Sequence, residues 1–401
     1  MSSHGIDLAV VITVTAAVIA WTLVAERVRR WNITAPITFV AIGLLLANWP
    51  LDLISVDLGS EGTRTIAELT LAIVLFADAA TVDVGRLRAD LGLPSRLLLV
   101  GLPITMIAGT LAARLLFPDW SWALCALVGA AVAPTDAALG AAIIDDERVP
   151  SRIRRVLNVE SGLNDGIATP FVTFFLVAAV AGSSLAQESK VGALLDLAVG
   201  AALGVALGAG GALLARRAGR AGWGSESLRG VALAALAALS WALAVEVGAN
   251  GFVAAFVAGL GHAAVTRGEE HETLEFTHHL GAVMSWFVWF VFGASMVPLL
   301  TDATWRDAVF AVAALTVVRM LPVALSLTGA GLDRPTVAVL GWFGPRGLAS
   351  VVFALLTVGV LPGAEARTVV IAITATVLLS VIAHGVSAAP VATRYARTHR
   401  N

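Results

Sequence analysis

Apolar residues in this chain arrive in long, nearly unbroken runs, and short polar clusters separate them. A helix that crosses the hydrocarbon layer needs about 20 apolar residues. Thirteen runs meet or approach that length: roughly 7–25, 34–50, 64–82, 95–117, 120–144, 156–181, 191–215, 228–247, 249–266, 280–300, 305–328, 335–359 and 367–389. Runs 228–247 and 249–266 nearly touch, which predicts a tight hairpin. The pattern predicts an all-α polytopic membrane protein with about thirteen transmembrane helices. It forms one transmembrane domain over residues 1–401. The longest polar connection, about 267–279, is too short to fold alone, so no soluble regulatory domain is expected. The first run is long, and Glu26, Arg27, Arg29 and Arg30 follow it rather than precede it, unlike a cleavable signal peptide.

Composition narrows the class. Hydrophobic residues make up 58% and charged residues 13%, against about 25% charged in soluble domains. A soluble chain of this length could not hide that apolar surface. The net charge of -2 argues against a nucleic-acid partner, and the lone Cys125 excludes a disulfide framework or a cysteine-built metal site within one chain. Trp31, Trp49, Trp120, Trp122 and Trp305 stand at run ends, where amphipathic rings suit the membrane interface. With the N-terminus outside, inner connections carry 18 Arg and outer ones four Lys or Arg. Cytoplasmic loops attract positive charge, so N-out, C-in and an odd number of spans are expected. The expected location is the cell (inner) membrane.

Two runs are interrupted in mid-membrane. The fifth carries Ala133-Pro134-Thr135-Asp136 and the twelfth Phe343-Gly344-Pro345-Arg346-Gly347. Proline removes a backbone donor, and the freed groups are tolerated at depth only against protein or a watery cavity. Broken helices at corresponding places in two halves point to a transporter's midplane site. The odd offset of seven spans makes the second copy inverted. Charges within the runs, expensive and therefore functional by default, are Asp78, Asp136, Glu160, Asp165, Arg319 and Arg346. On one helix, Glu160 and Asn164 are four residues apart, as are Ser161 and Asp165. With Thr135 and Asp136 they could complete an oxygen cage for a hard monovalent cation. Glu160 reads as a partner of Arg319 or Arg346, and Asp78 as packing support for the third span. The arginines are too few to neutralise every acid, which leaves Asp165 as a carboxylate on which a proton and a cation compete.

At these residues the sequence resembles the cation:proton antiporter superfamily, in the branch of bacterial sodium/proton antiporters and animal sodium/proton exchangers. The resembling motifs are Leu75-Phe76 with Asp83 and Leu87-Arg88, then Ala133-Pro134-Thr135-Asp136. Val149-Pro150 through Arg154-Arg155, Glu160-Ser161 and Asn164-Asp165-Gly166 follow. Gly251-Phe252 with Ala258-Gly259, Gly344-Pro345-Arg346-Gly347 and His384-Gly385 complete the set. The resemblance implies that Asp165 carries the ion and proton, with Glu160, Ser161, Thr135 and Asp136 lining or supporting the site. Asn164 before the aspartate resembles the single-carboxylate branch and implies electroneutral exchange, one cation for one proton. Arg319 and Arg346 are similar to the two core arginines that stabilise the unwound region. Two departures stand out: Ala137 follows the Thr-Asp pair and Gly162 follows Glu-Ser, where it could loosen the helix or admit a larger ion.

The expectation is therefore a secondary active transporter, not an enzyme, without cofactor. It exchanges Na+ (or Li+ or K+) for H+ by alternating access around Asp165. Its core lies around 120–181 and 305–359. Its scaffold includes 7–50 and 228–266 and carries a homodimer interface. A sodium-coupled organic-anion symporter of the same architecture, or a channel, are the alternatives. The cluster His271, His278 and His279 with Glu269, Glu270, Glu272 and Glu275 reads as a solvated linker. His262 and His384 read as packed residues. Gly200, Gly204 and Gly208 read as a close-packing face within or between subunits.

Overall fold

The computed structural model describes residues 8–29, 31, 33–48, 51–82, 92–144, 146–180, 186–266 and 271–398. The motif residues Asp83, Leu87 and Arg88, and the acids Glu269 and Glu270, lie outside the described residues. Among the described residues all regular structure is helical. The helices are α1 (Leu8–Arg29), α2 (Ala35–Leu46), α3 (Glu61–Ala80), α4 (Gly92–Leu116), α5 (Trp122–Ala131), α6 (Ala141–Ile144), α7 (Ser151–Val180) and α8 (Ala186–Arg220). They continue as α9 (Arg229–Glu246), α10 (Gly251–Thr266), α11 (His271–Val291), α12 (Trp305–Leu315), α13 (Val317–Ser326), α14 (Arg334–Trp342), α15 (Leu348–Val358) and α16 (Gly363–Thr398). Eight helical stretches are long and apolar enough to cross a bilayer. The other expected runs fall on α2, α3 and α10, and on the broken pairs α5–α6 and α14–α15.

The ends of the broken helices are written in the sequence. Ser121 caps α5, its hydroxyl accepting from the Leu124 amide at 3.2 Å, and Pro134 prevents the helix from continuing past its last turn. Asp333 caps α14 by accepting from the Thr336 amide at 3.3 Å, with Pro335 in the first turn where its missing N–H costs nothing. In the connection before α7, hydrogen bonds from Arg148 hold the Asp146 carboxyl below the usual carboxylate range.

Two sequence expectations need correction. Residues 271–279 are not a linker but the first turns of α11, with Glu275, His278 and His279 exposed. An apolar window finds the part of a helix within the bilayer and misses a polar extension beyond it. The eleventh run is also interrupted, at Thr316 (φ -108°, ψ -95°), between α12 and α13. No proline stands at that break; Pro322 lies two turns further on.

Close approach is bought with glycine along α8. A Cβ at Gly200, Gly204 or Gly208 would fall inside 3.0 Å of the carbonyl oxygens of Asn250, Ala254 and Ala258 respectively. The small-residue face of α8 is thus a seam against α10 within this subunit. Gly259 on α10 repeats the device against the Phe76 carbonyl of α3. These contacts join α3, α8 and α10 into one block.

Overpacking a tight seam costs about 1–3 kcal/mol. Gly208→Val should therefore lower the thermal unfolding midpoint in detergent. Gly210→Ala, with open space around it, should leave the midpoint unchanged or raise it, since alanine is favoured over glycine in a helix by roughly 0.5–1 kcal/mol.

Candidate functional site

The two breaks meet and complete each other. The Asp136 amide donates to the Pro345 carbonyl at 2.7 Å, which joins the unwound segments. One Asp136 carboxylate oxygen accepts from the amides of Ala138 (2.8 Å) and Leu139 (3.4 Å), and the other from the Leu348 amide (2.9 Å) at the start of α15. A carboxylate there complements the positive end of the α15 dipole. Arg346 answers from the other side: its guanidinium donates to the carbonyls of Ala133 and Pro134, beyond the end of α5, and of Ala314 at the end of α12. Ser350 donates to the Ala131 carbonyl at 2.7 Å.

The glycines of the second break make room for this exchange. A Cβ at Gly347 would collide with the Asp136 side chain. One at Gly344 would collide with the Arg319 guanidinium and Thr135. Behind the break, Ser380 on α16 accepts from the Arg346 amide at 2.7 Å. His384 bridges Ser380 to the Trp342 carbonyl, where its Nε2 lies 2.8 Å away. His384 is thus packed and hydrogen-bonded, as its place in an apolar run suggested.

Helix α7 supplies the remaining site residues on neighbouring faces. Glu160 pairs with Arg319 on α13 at 2.6 Å, and the two side chains are 2% and 1% exposed. That settles which arginine it contacts. Thr135 Oγ1 accepts from the Asn164 amide at 2.6 Å and shares a hydrogen bond with Ser161 Oγ at 3.0 Å. So Thr135, Glu160, Ser161 and Asn164 are brought together, with Asp165 next along α7.

Two buried acceptors beside them, Glu160 Oε2 and Asn164 Oδ1, find no hydrogen-bond partner among the described residues. The Asp165 carboxylate, 7% exposed, makes no hydrogen bond or ion pair among the described residues. Its electrostatic neighbours are Asp136 and Asp78. A cluster of hydroxyl, amide and carboxylate oxygens with unmet acceptor capacity is suited to a hard cation of low charge, and a lone carboxylate in it can take a proton instead.

Two features escaped the sequence reading. Asp78 does more than support its own span: a Cβ at Gly162 would lie 3.7 Å from the Asp78 Cβ. Asp78 on α3 thus borders Gly162 at ordinary contact distance. Phe256 on α10 lies far closer to Gly166, its ring where a Cβ could not be added. The unexpected glycine at 162 was the only available signal for the first; the second had none, being an apolar residue in an apolar run.

This is a multi-pass membrane protein with a polar site built where two interrupted helices meet. The sodium/hydrogen exchanger transmembrane family matches residues 13–394, and the chain belongs to that family. It is 28% identical over 346 residues to the K(+)/H(+) antiporter NhaP2 of Shewanella sp. strain MR-4, covering 84% of this chain and 58% of that protein. The NhaP2 of Shewanella oneidensis is 28% identical over 240 residues, 59% of this chain and 41% of its own length. The chain thus spans little more than half the length of the curated relatives it matches. Its fold is that of the sodium proton antiporter MjNhaP1 from Methanocaldococcus jannaschii, with a TM-score of 0.78, 19% identity, and coverage of 97% of this chain and 99% of that one.

Removing one partner of a buried ion pair strands the other charge, at a cost of about 3–5 kcal/mol. Glu160→Gln and Arg319→Met should each lower the unfolding midpoint in detergent sharply. The double variant should recover much of the loss. Additive losses in the double variant would contradict the pairing.

Proposed function

We propose that the protein exchanges a monovalent cation, sodium first, for protons across the membrane, by alternating access around Asp165. The observation that carries this reading is the Asp165 carboxylate, unpaired among the described residues, beside the Thr135–Ser161–Asn164 oxygen cluster. Deprotonated Asp165 binds the cation together with Ser161, Thr135 and the free oxygens of Asn164 and Glu160. Release of the cation on the other side leaves the carboxylate to a proton, which neutralises it for the return. Asp136 supports the site through the backbone of the crossing. Arg319 and Arg346 compensate charge, the first on Glu160 and the second on helix-end carbonyls.

Sodium is put first on the resemblance of the Asn164-Asp165 pair to sodium/proton antiporters. The relatives named K(+)/H(+) antiporters make potassium the direct competitor. An organic-anion symporter would need an arginine facing its substrate. Arg319 and Arg346 are 1% and 0% exposed and engaged with the protein itself.

The moving core comprises the stretches around 120–181 and 305–359, and the scaffold includes 7–50 and 228–266. The protein sits in the cell membrane as a homodimer joined through the scaffold, with the N-terminus outside and the C-terminus in the cytoplasm.

Purified full chain in proteoliposomes should acidify or alkalinise the lumen when a sodium, lithium or potassium gradient is imposed, with sodium the most effective. Asp165→Asn should abolish the response while keeping the wild-type elution profile and melting midpoint. Exchange that survives in Asp165→Ala would remove the assignment.

A further inference from the structure

Two glycines bracket Asp165 on α7, Gly162 one turn before it and Gly166 directly after. Each faces a side chain from the α3–α8–α10 block. At Gly162 it is Asp78, whose Cβ would lie 3.7 Å from an added Cβ, an ordinary contact. At Gly166 it is the ring of Phe256, three of whose atoms (Cγ, Cδ2, Cε2) lie where a Cβ could not be added.

The surroundings of the two contacts differ. Toward the Ser151 end of α7, Asn158 is exposed, Gly162, Asp78 and Asp136 are half-buried, and Ala138 is exposed. Toward the other end, Ala168, Thr169 and Val172 are fully buried. Phe256 belongs to the same apolar cluster as Ala168 and Val172. Asp165 therefore stands between a polar, partly exposed side and a more buried side, and the ring lies at the start of the buried side.

The mechanics of attachment differ as well. Phe256 is carried on α10, which the glycine seams fix to α8 and α3. Asp165 is carried on α7, which Thr135, Ser161, Asn164, Glu160 and Arg319 fix to the crossing. Between the two groups, the ring in its notch is joined by a hydrogen bond from the Asn250 amide to Thr173 at 3.0 Å.

We propose that Phe256 seals the Asp165 site on its Asn250 side. The ring sits in the notch left by Gly166 and must leave it before Asp165 can face that side. The inference rests on Asp165 as the exchanging carboxylate. In the topology proposed above, the sealed side is the outer one. Phe256 is a positioning residue: it touches neither cargo, but decides by which side cation and proton leave. An apolar ring in van der Waals contact with the helix leaves no room for water, and a cation stripped of water in an apolar gap is strongly disfavoured. A small side chain would open that gap.

The test measures cation efflux and proton influx together in proteoliposomes of the full chain. Phe256→Ala should pass cation without matching proton counterflow, so the coupling ratio collapses. Phe256→Leu, which keeps most of the bulk, should retain coupling. Gly166→Ala should unseat the ring and lose coupled exchange, and Gly166→Ala/Phe256→Leu should restore it relative to the single variant. The last pair carries the test alone if Phe256→Ala does not fold. Wild-type coupling in Phe256→Ala, or a double variant no better than Gly166→Ala, overturns the seal and leaves the exchanger reading intact. Wild-type protein without cation-driven proton movement overturns that reading instead.

Discussion

The bundle depends on the way two interrupted helices satisfy each other's ends. At membrane depth no water is available for an unpaired amide or carbonyl, and each orphan costs several kcal/mol. Here the acid of the first break caps the start of α15, and the base of the second break caps the end of α5. Each charge thus meets the helix end of opposite polarity. Gly344 and Gly347 matter because they let the partner side chains approach; left-handed backbone geometry is not involved. Arg346 also reaches the last turn of α12, so a third interrupted helix is tied to the same point.

The site inherits its shape from this crossing. Thr135 is positioned because it precedes Asp136, whose backbone is fixed to Pro345. Thr135 in turn orients Asn164 and Ser161. Glu160 is anchored by Arg319, which packs against Gly344. The residue left without a tether is Asp165. In the exchange proposed for it, a carboxylate that trades a proton for a cation gains from that freedom, provided that everything around it is fixed. The asymmetry between firmly held supports and one free carboxylate is the physical content of the functional reading.

How much of this the sequence carried can be judged residue by residue. Pro134 and Pro345, each beside a charge within an apolar run, announced the breaks because both features are costly there. Asp165 stood out by the same argument. The pairing of Glu160 with Arg319 was not legible, since spacing along the chain says nothing about which of two distant arginines arrives. The break at Thr316 left no mark, having neither proline nor glycine; its Ala314 carbonyl is stabilised by a contact from Arg346, thirty-two residues away. Gly162 was visible as a departure, but that Asp78 borders it was not. Phe256 was silent because bulk and apolarity are the background of every span. Polar exceptions in a membrane sequence are readable; apolar residues with special duties are not.

The reciprocal capping has a consequence for biosynthesis. Asp136 waits for the Leu348 amide 212 residues later, and the Ala133 carbonyl waits for Arg346 213 residues later. A ribosome delivering the chain from its N-terminus therefore releases the fifth span long before its counterpart exists. In that interval a carboxylate and several bare carbonyls have no final partner. The span must be sheltered at the insertion machinery, in a headgroup layer or by a membrane chaperone. The two halves that carry the breaks are not separable modules, and a fragment ending before the second break would carry an unfinished helix that lipid alone cannot complete.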